Sequence, residues 1–346
     1  MASLAAMVVL ATGSVAAFSA WGQEQPEKQQ QEQRAAAPSP KPPQTGFEPY
    51  VDMGYYPPFD LAGSLHTAGV KQYVLGFIVA GDGCTPTWDG EVPLDDEEIA
   101  ERITQFRAEG GMVRISFGGA AGAELASVCD SVSALTDAYQ RVIDTFSATA
   151  LDFDVEGNEL SNTAAHTRRA QAIAALQKHA RAAGKTLNVA FTLPVNPSGF
   201  TATPIRVLNA AAANGAAVDV VNVMAMDYGR WAAPDPEGMM GTYAIQAMTN
   251  AHATVRKIFG LSPEEAWRRI AVTPLIGVNV PATEVFSIED AVKVTAFARE
   301  KRAAYVSMWS ITRDRPCPEG VTADADSDTC AGNAPTEYAF TRAFLG

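Results

Sequence analysis

From Pro49 onward the chain repeats one pattern: a short β-rich run, then a stretch whose apolar residues recur at helical spacing. The strand expectations are Tyr50 to Met53, Tyr73 to Ala80, Met112 to Phe117, Ala150 to Val155, Leu187 to Leu193, Val218 to Met226, Ala271 to Val278 and Ala304 to Ser310. Between and after them fall helices over Leu61 to Ala68, Asp95 to Glu109, Ser133 to Phe146, Ala164 to Ala183, Pro204 to Asn214, Tyr243 to Phe259, Ile288 to Arg302 and Thr336 to Leu345. Gly69, Gly110 and Gly184 sit where left-handed helix caps belong. Eight such units over roughly 300 residues predict an α/β chain folded as a TIM (β/α)8 barrel. A doubly wound open sheet is the runner-up. It would need a phosphate-binding turn after an early strand, and Gly81-Asp82-Gly83-Cys84 does not continue as GxGxxG.

The fourth run ends in three alternate acids, Asp152, Asp154 and Glu156. Alternate strand residues share a face, so these carboxyls stand roughly 6 to 7 Å apart per step. Leu151, Phe153 and Val155 fill the other face, and Gly157 ends the run. Crowded, poorly solvated carboxylates raise one another's proton affinity. At a strand end, where barrel active sites lie, Glu156 then meets the requirement for a general acid near neutral pH. The bland alternative is an acidic face turned to solvent.

Composition narrows the partners. With 26 basic and 39 acidic residues the formal charge is −13, which argues against nucleic acid or an anionic membrane and fits a neutral substrate. Ala2 to Trp21 is apolar and small-residue-rich, with Ala17-Phe18-Ser19 as a cleavage-type site, and Gly22 to Pro43 is a Gln-, Glu- and Pro-rich stretch unable to build a core. The expected layout is therefore a signal peptide or anchor over 1–21, a disordered linker over 22–46 and one domain over 47–346. No Lys or Arg precedes the apolar stretch, so export is expected either as a free protein or tethered at the N-terminus. Four cysteines without CxxC or nearby His lack metal-ligand spacing. Cys317 and Cys330 bracket a polar loop and are expected to pair, which leaves Cys84 for Cys129, as an oxidising compartment allows.

Other strand ends add chemistry at the same rim. The third closes with Ser116-Phe117-Gly118-Gly119, where the glycines let backbone approach a ligand or a neighbouring strand. The sixth closes with Met224-Ala225-Met226-Asp227-Tyr228-Gly229, and the eighth carries Trp309, an apolar floor for a sugar ring. Each has a dull reading: tight turn, structural acceptor, barrel filler.

Together these segments resemble glycoside hydrolase family 18, the chitinase family. Asp152, Asp154 and Glu156 match the last part of its fourth-strand DGxDxDxE motif, Ser116 to Gly119 its SxGG run, and Trp309 its eighth-strand tryptophan. Tyr50 to Met53, Phe77 to Trp88 and Val221 to Gly229 look like a bacterial secreted subgroup. Two departures stand out. Thr149-Ala150 replaces Asp-Gly, which removes an acid expected beneath Asp152, and Tyr228 follows Asp227 where the family commonly has MxYD.

The resemblance implies internal hydrolysis of β-1,4-linked N-acetylglucosamine with retention, the substrate's own 2-acetamido group serving as nucleophile. Glu156 would be the acid, Asp154 the acetamide partner and Asp152 the modulator. Asp227, Tyr228, Trp309, Gly118, Gly119, Met224, Trp88 and Trp231 would contact sugar, with Trp88 and Trp231 as aromatic platforms. Asn279 to Phe286 is too short for the insertion that deepens the cleft in some members, so an open groove is expected. No cofactor or metal is expected, and the chain is expected to act as a monomer on chitin or its oligosaccharides. An endo-β-N-acetylglucosaminidase on N-glycans would share these acids. A non-catalytic chitin lectin would typically have lost the glutamate. A metal-using barrel is a third alternative. Asp324, Asp326 and Asp328 lack the Gly and Glu of a calcium loop, and His66, His166, His179 and His252 read as structural.

Overall fold

Parallel pairing runs without interruption from the first strand to the eighth. The computed structural model describes residues 45–324 and 329–346; the expected signal, most of the linker, Asp326 and Asp328 lie outside the described residues. The strands are β1 (Tyr50–Asp52), β2 (Gln72–Ala80), β3 (Met112–Gly118), β4 (Ala150–Asp154), β5 (Asn188–Pro194), β6 (Val220–Met224), β7 (Ile270–Thr273) and β8 (Tyr305–Val306). Each pairs in parallel with the next. The ring closes where Gly46–Phe47, just before β1, pairs with β8, and where Tyr50 N donates to Met308 O at 3.1 Å. Helices α1 (Leu61–Ala68), α2 (Glu97–Ala108), α3 (Val132–Phe146), α4 (Thr163–Ala182), α5 (Ala202–Ala213), α6 (Met240–Phe259), α7 (Ile288–Lys301) and α8 (Ala339–Leu345) follow the strands in turn. The TIM barrel is the observed fold.

Strand alternation divides the core in two. Outward residues meet the helices: Phe153 stacks on Phe117 at 5.2 Å and lies 5.6 Å from Phe191, while Tyr139 of α3 packs edge-on against Phe117 and Phe153. Burying each such ring is worth about 2 to 3 kcal/mol. Inward residues fill the barrel, with Ala190, Val220, Ala271 and Tyr305 forming its lower apolar layer.

Three expectations change. The seventh run is broken after Thr273, because Pro274 brings no N–H, and resumes as an antiparallel hairpin, Gly277–Val278 with Val285–Phe286. Gly277 has φ +76°, and a Cβ there would meet Ala331 O at 1.8 Å. The eighth run is a regular strand only over Tyr305–Val306, although Ser307 N and Trp309 N still donate to Val272 O and Pro274 O. An unexpected hairpin, Pro86–Trp88 with Val92–Pro93, extends β2 antiparallel. Both expected disulfides form: Cys84–Cys129 ties the segment after β2 to that after β3, and Cys317–Cys330 closes the loop after β8.

Gly118 sets how closely β3 and β4 approach at the rim. Its φ is +96°, a Cβ would fall 2.1 Å from Asp154 O, and Gly119 N donates to that same oxygen at 3.1 Å. Gly118→Ala is therefore expected to destabilise the fold by about 3 kcal/mol, because the clash is with backbone and the left-handed conformation adds strain. Chemical denaturation of the variant beside the parent measures this.

Candidate active site

The inward positions of β4 and its continuation carry Asp152, Asp154 and Glu156 from barrel interior to rim. Asp152 is fully buried, and both its oxygens accept from hydroxyls: Oδ2 from Tyr50 Oη at 2.9 Å and Ser116 Oγ at 2.6 Å, and Oδ1 from Thr192 Oγ1 at 2.8 Å. Thr192 Oγ1 also receives Asn222 Nδ2 at 3.0 Å, and Asn222 exchanges bonds of 2.7 and 3.0 Å with Thr273 Oγ1. Five strands thus contribute a polar layer around one carboxylate. Below it, Arg114 pairs with Glu48 at 3.0 Å, donates to Asn188 Oδ1 at 2.7 Å and lies 5.4 Å from the centre of the Tyr305 ring.

These contacts set the two carboxyls apart. Burial leaves the Asp152 pKa above the usual carboxylate range, its hydroxyl donors and Arg114 offsetting only part of that shift. Asp154 is also buried, its Oδ1 has no hydrogen-bond partner, and burial, Glu156, Asp152 and Glu124 all push its pKa well above the usual range. Of the two, Asp154 lacks donors and is pushed up further, so it binds a proton more tightly than Asp152. Glu156 stands half-buried at the rim, its pKa pushed up to about 7 by burial and then by Asp227.

Glu156 opens into two adjoining hollows that share Met224, Met226 and Asp227 with it. The larger, about 400 Å³, is floored by Trp309 and Tyr50 and walled by Ala120 and Ala121. Trp309 stacks on Phe77 at 5.5 Å. The smaller, about 230 Å³, includes Tyr228, whose ring packs edge-on against Tyr243 and whose buried hydroxyl has no hydrogen-bond partner. Asp227 is exposed at the rim with φ +48°, a left-handed conformation unusual for a residue with a Cβ, and its Oδ1 accepts from Val280 N at 2.7 Å.

The structure therefore gathers Asp152, Asp154, Glu156, Met224, Asp227, Tyr228 and Trp309 at one end of the barrel. Gly118 and Gly119 abut the Asp154 carbonyl and the Phe77 ring, and serve close packing of strand ends. Trp231 follows β6 on a short helix and is 89% exposed. Trp88 is a correction. It is 0% exposed and packs against Phe146 of α3 at 5.4 Å, because the unexpected hairpin turns it under the helix layer and away from the groove. Thr149 is another: it is exposed and shares the parity of Leu151 and Phe153, so an acid there would not lie beneath Asp152. Arg114 occupies that place.

Sequence reasoning missed Tyr50 as the donor to Asp152, together with Thr192, Asn222 and Thr273, since single hydroxyl and amide residues in β-runs carry no motif. It also missed Glu124 and Arg169, a buried pair beside Asp154. The signal for Glu124 was a charge inside an otherwise apolar stretch, whereas Arg169 follows Arg168 in a polar run and carried none. Among the described residues no group of three His, Cys, Asp or Glu side chains is arranged to hold a metal ion. His66 meets Glu109, His166 and His252 bond to backbone carbonyls, and His252 stacks on Trp267.

An acid-bearing fourth strand at the mouth of a (β/α)8 barrel is the architecture of a glycoside hydrolase, and comparison with known proteins agrees. The catalytic domain of a hyperthermophilic chitinase from Pyrococcus furiosus superposes with a TM-score of 0.76 and 31% identity, covering 88% of this chain and 95% of that one. A probable bifunctional chitinase/lysozyme of Escherichia coli K12 is 32% identical over 312 residues, 87% of this chain and 34% of that protein. Endochitinase 11 of Metarhizium anisopliae is 32% identical over 282 residues, 79% of this chain and 53% of that protein. The chain thus spans about a third and about half of these two curated relatives. No family model matches. The chain belongs to glycoside hydrolase family 18.

The acid cluster ties stability to pH. Glu156 holds its proton more tightly when folded, about 7 against an ordinary 4.5, so its contribution to stability is fully present below about 4.5 and is lost as pH rises through about 7. Asp154 acts in the same direction. Glu156→Gln removes the Glu156 share, and its melting temperature relative to the parent is expected to climb by a few degrees between pH 4.5 and 7. Thermal melts across that window measure the gap.

Proposed function

We propose that this chain is a chitinase that cleaves internal β-1,4 bonds between N-acetylglucosamine units with retention, through the substrate's own acetamide. The observation that carries this is the graded line of acids along β4 and its continuation: Glu156 at the rim with its pKa pushed up to about 7, Asp154 behind it with Oδ1 lacking a donor, and Asp152 below held by three hydroxyls. A two-carboxylate mechanism needs a second ionised group facing the anomeric carbon as nucleophile or base. Here the acids stack in line behind the donor, so the reading takes the nucleophile from the sugar. Relatives named chitinase support the substrate class, and the related Pyrococcus furiosus domain has been crystallised with chito-oligosaccharides.

Glu156 donates its proton to the glycosidic oxygen as the bond to the anomeric carbon breaks. The acetamide carbonyl oxygen closes on that carbon, giving an oxazolinium ion on the face opposite the leaving sugar. Asp154 accepts the acetamide N–H while its own proton moves toward Asp152, so negative charge arrives where the ring becomes positive. Tyr50, Ser116 and Thr192 keep Asp152 fixed while this happens. Glu156, now a base, takes a proton from water, which opens the ring with net retention. The short hairpin after β7 leaves the groove open at that side, which favours internal cleavage over processive end-cleavage.

One relative's name favours a second reading, that the same site also cuts peptidoglycan. Peptidoglycan likewise presents 2-acetamido sugars in β-1,4 linkage. Colloidal chitin, chito-oligosaccharides, peptidoglycan and a high-mannose glycopeptide, each mixed with the full chain, separate the substrates. Release of short chito-oligosaccharides from chitin is expected, and activity confined to the glycopeptide would overturn the proposal. Glu156→Gln is expected to lower turnover by about a thousandfold or more while oligosaccharide binding persists. Near-normal hydrolysis by that variant would remove Glu156 from the acid role.

A further inference from the structure

We propose that Glu284, in the hairpin between β7 and α7, is a positioning residue that holds Asp227 beside Glu156. Glu284 is 0% exposed, and nothing in the mechanism above uses it. Its carboxylate accepts two backbone N–H groups, Tyr228 N at 2.9 Å on Oε2 and Gly229 N at 2.7 Å on Oε1. Those are the two residues that follow Asp227. The same hairpin grips Asp227 itself: Asn279 Oδ1 accepts Asp227 N at 3.3 Å, and Val280 N donates to Asp227 Oδ1 at 2.7 Å. Asn279 is fixed in turn, its Nδ2 donating to Leu275 O and Gly277 O.

The clamp matters because the turn is not one that Asp227 adopts freely. At φ +48° its backbone lies in the left-handed region, which persists only where surrounding contacts over-determine it. A buried carboxylate with two charge-assisted bonds to consecutive N–H groups is such a contact. Asp227 is the charged neighbour that raises the proton affinity of Glu156. Asp154 faces Glu156 from β4, Asp227 and the Tyr228 phenol face Glu284, and Arg313 packs on the hairpin through Val278 O. Removing Glu284 frees the turn, lets Asp227 leave Glu156 and lowers the pKa of the acid.

The proposal rests on Glu156 being the acid, so Glu156→Gln is measured in parallel. The pH dependence of chito-oligosaccharide hydrolysis is followed for the full chain and for Glu284→Gln, Glu284→Ala and Asn279→Ala. Gln keeps one acceptor but aims an NH2 group at the other N–H, so it reports on the clamp with little change in volume. For these variants, kcat is expected to fall tenfold or more, with the alkaline limb of the pH profile moved to lower pH by half a unit or more. If Glu284→Ala does not fold, the limb positions of the other two decide. Variants that melt earlier but keep the parent's kcat and limb per folded molecule would overturn the positioning role and leave a structural one. Retained hydrolysis by Glu156→Gln would instead overturn the acid assignment.

Discussion

One buried carboxyl group organises the inside of this barrel. Moving a carboxylate out of water costs several kcal/mol unless donors replace the lost solvation. Asp152 obtains them from hydroxyls on three different strands, with Arg114 below. Those donors must all point inward at one height, which fixes the relative heights of β1, β3, β4 and β5. Beside the Arg114–Glu48 pair, the buried residues Ala190, Val220, Ala271 and Tyr305 pack together inside the barrel. Asp154, next to Asp152 and Glu156 and without comparable donors, is the acid of the line that ionises least readily.

The outer part of the site is governed differently. Asp227 belongs to a turn rather than a strand, and its conformation is imposed by the hairpin after β7, which itself packs on the chain around Ala331 beside the Cys317–Cys330 bridge. Strand geometry locates the acids, and loop-to-loop hydrogen bonds locate their neighbour. This is the usual division in such barrels, where the frame gives precision and the loops give chemistry.

Much of this was legible in the sequence. Alternating β and helical periods gave the barrel, because each period records which face of an element meets the core. The acids were readable because Asp152, Asp154 and Glu156 break an apolar strand at alternate positions. The fate of Trp88 was not readable: whether an aromatic side chain faces a groove or a helix depends on a hairpin whose strands are two and three residues long. Glu284 was invisible for a related reason. Its partners are backbone N–H groups some fifty-five residues away, and backbone donors leave no trace in residue identity.

Thr149 carries a more general consequence. A strand motif written as a string interleaves two separate messages, one addressed to the barrel interior and one to the surrounding helices and solvent. Asp152, Asp154 and Glu156 belong to the first message, and Thr149, Leu151 and Phe153 to the second. The two answer to different demands, one chemical and one of packing and solubility. The three inner acids can therefore stand together although Thr149 on the outer face differs from the motif, and the chemistry is carried by alternate residues rather than by the whole word.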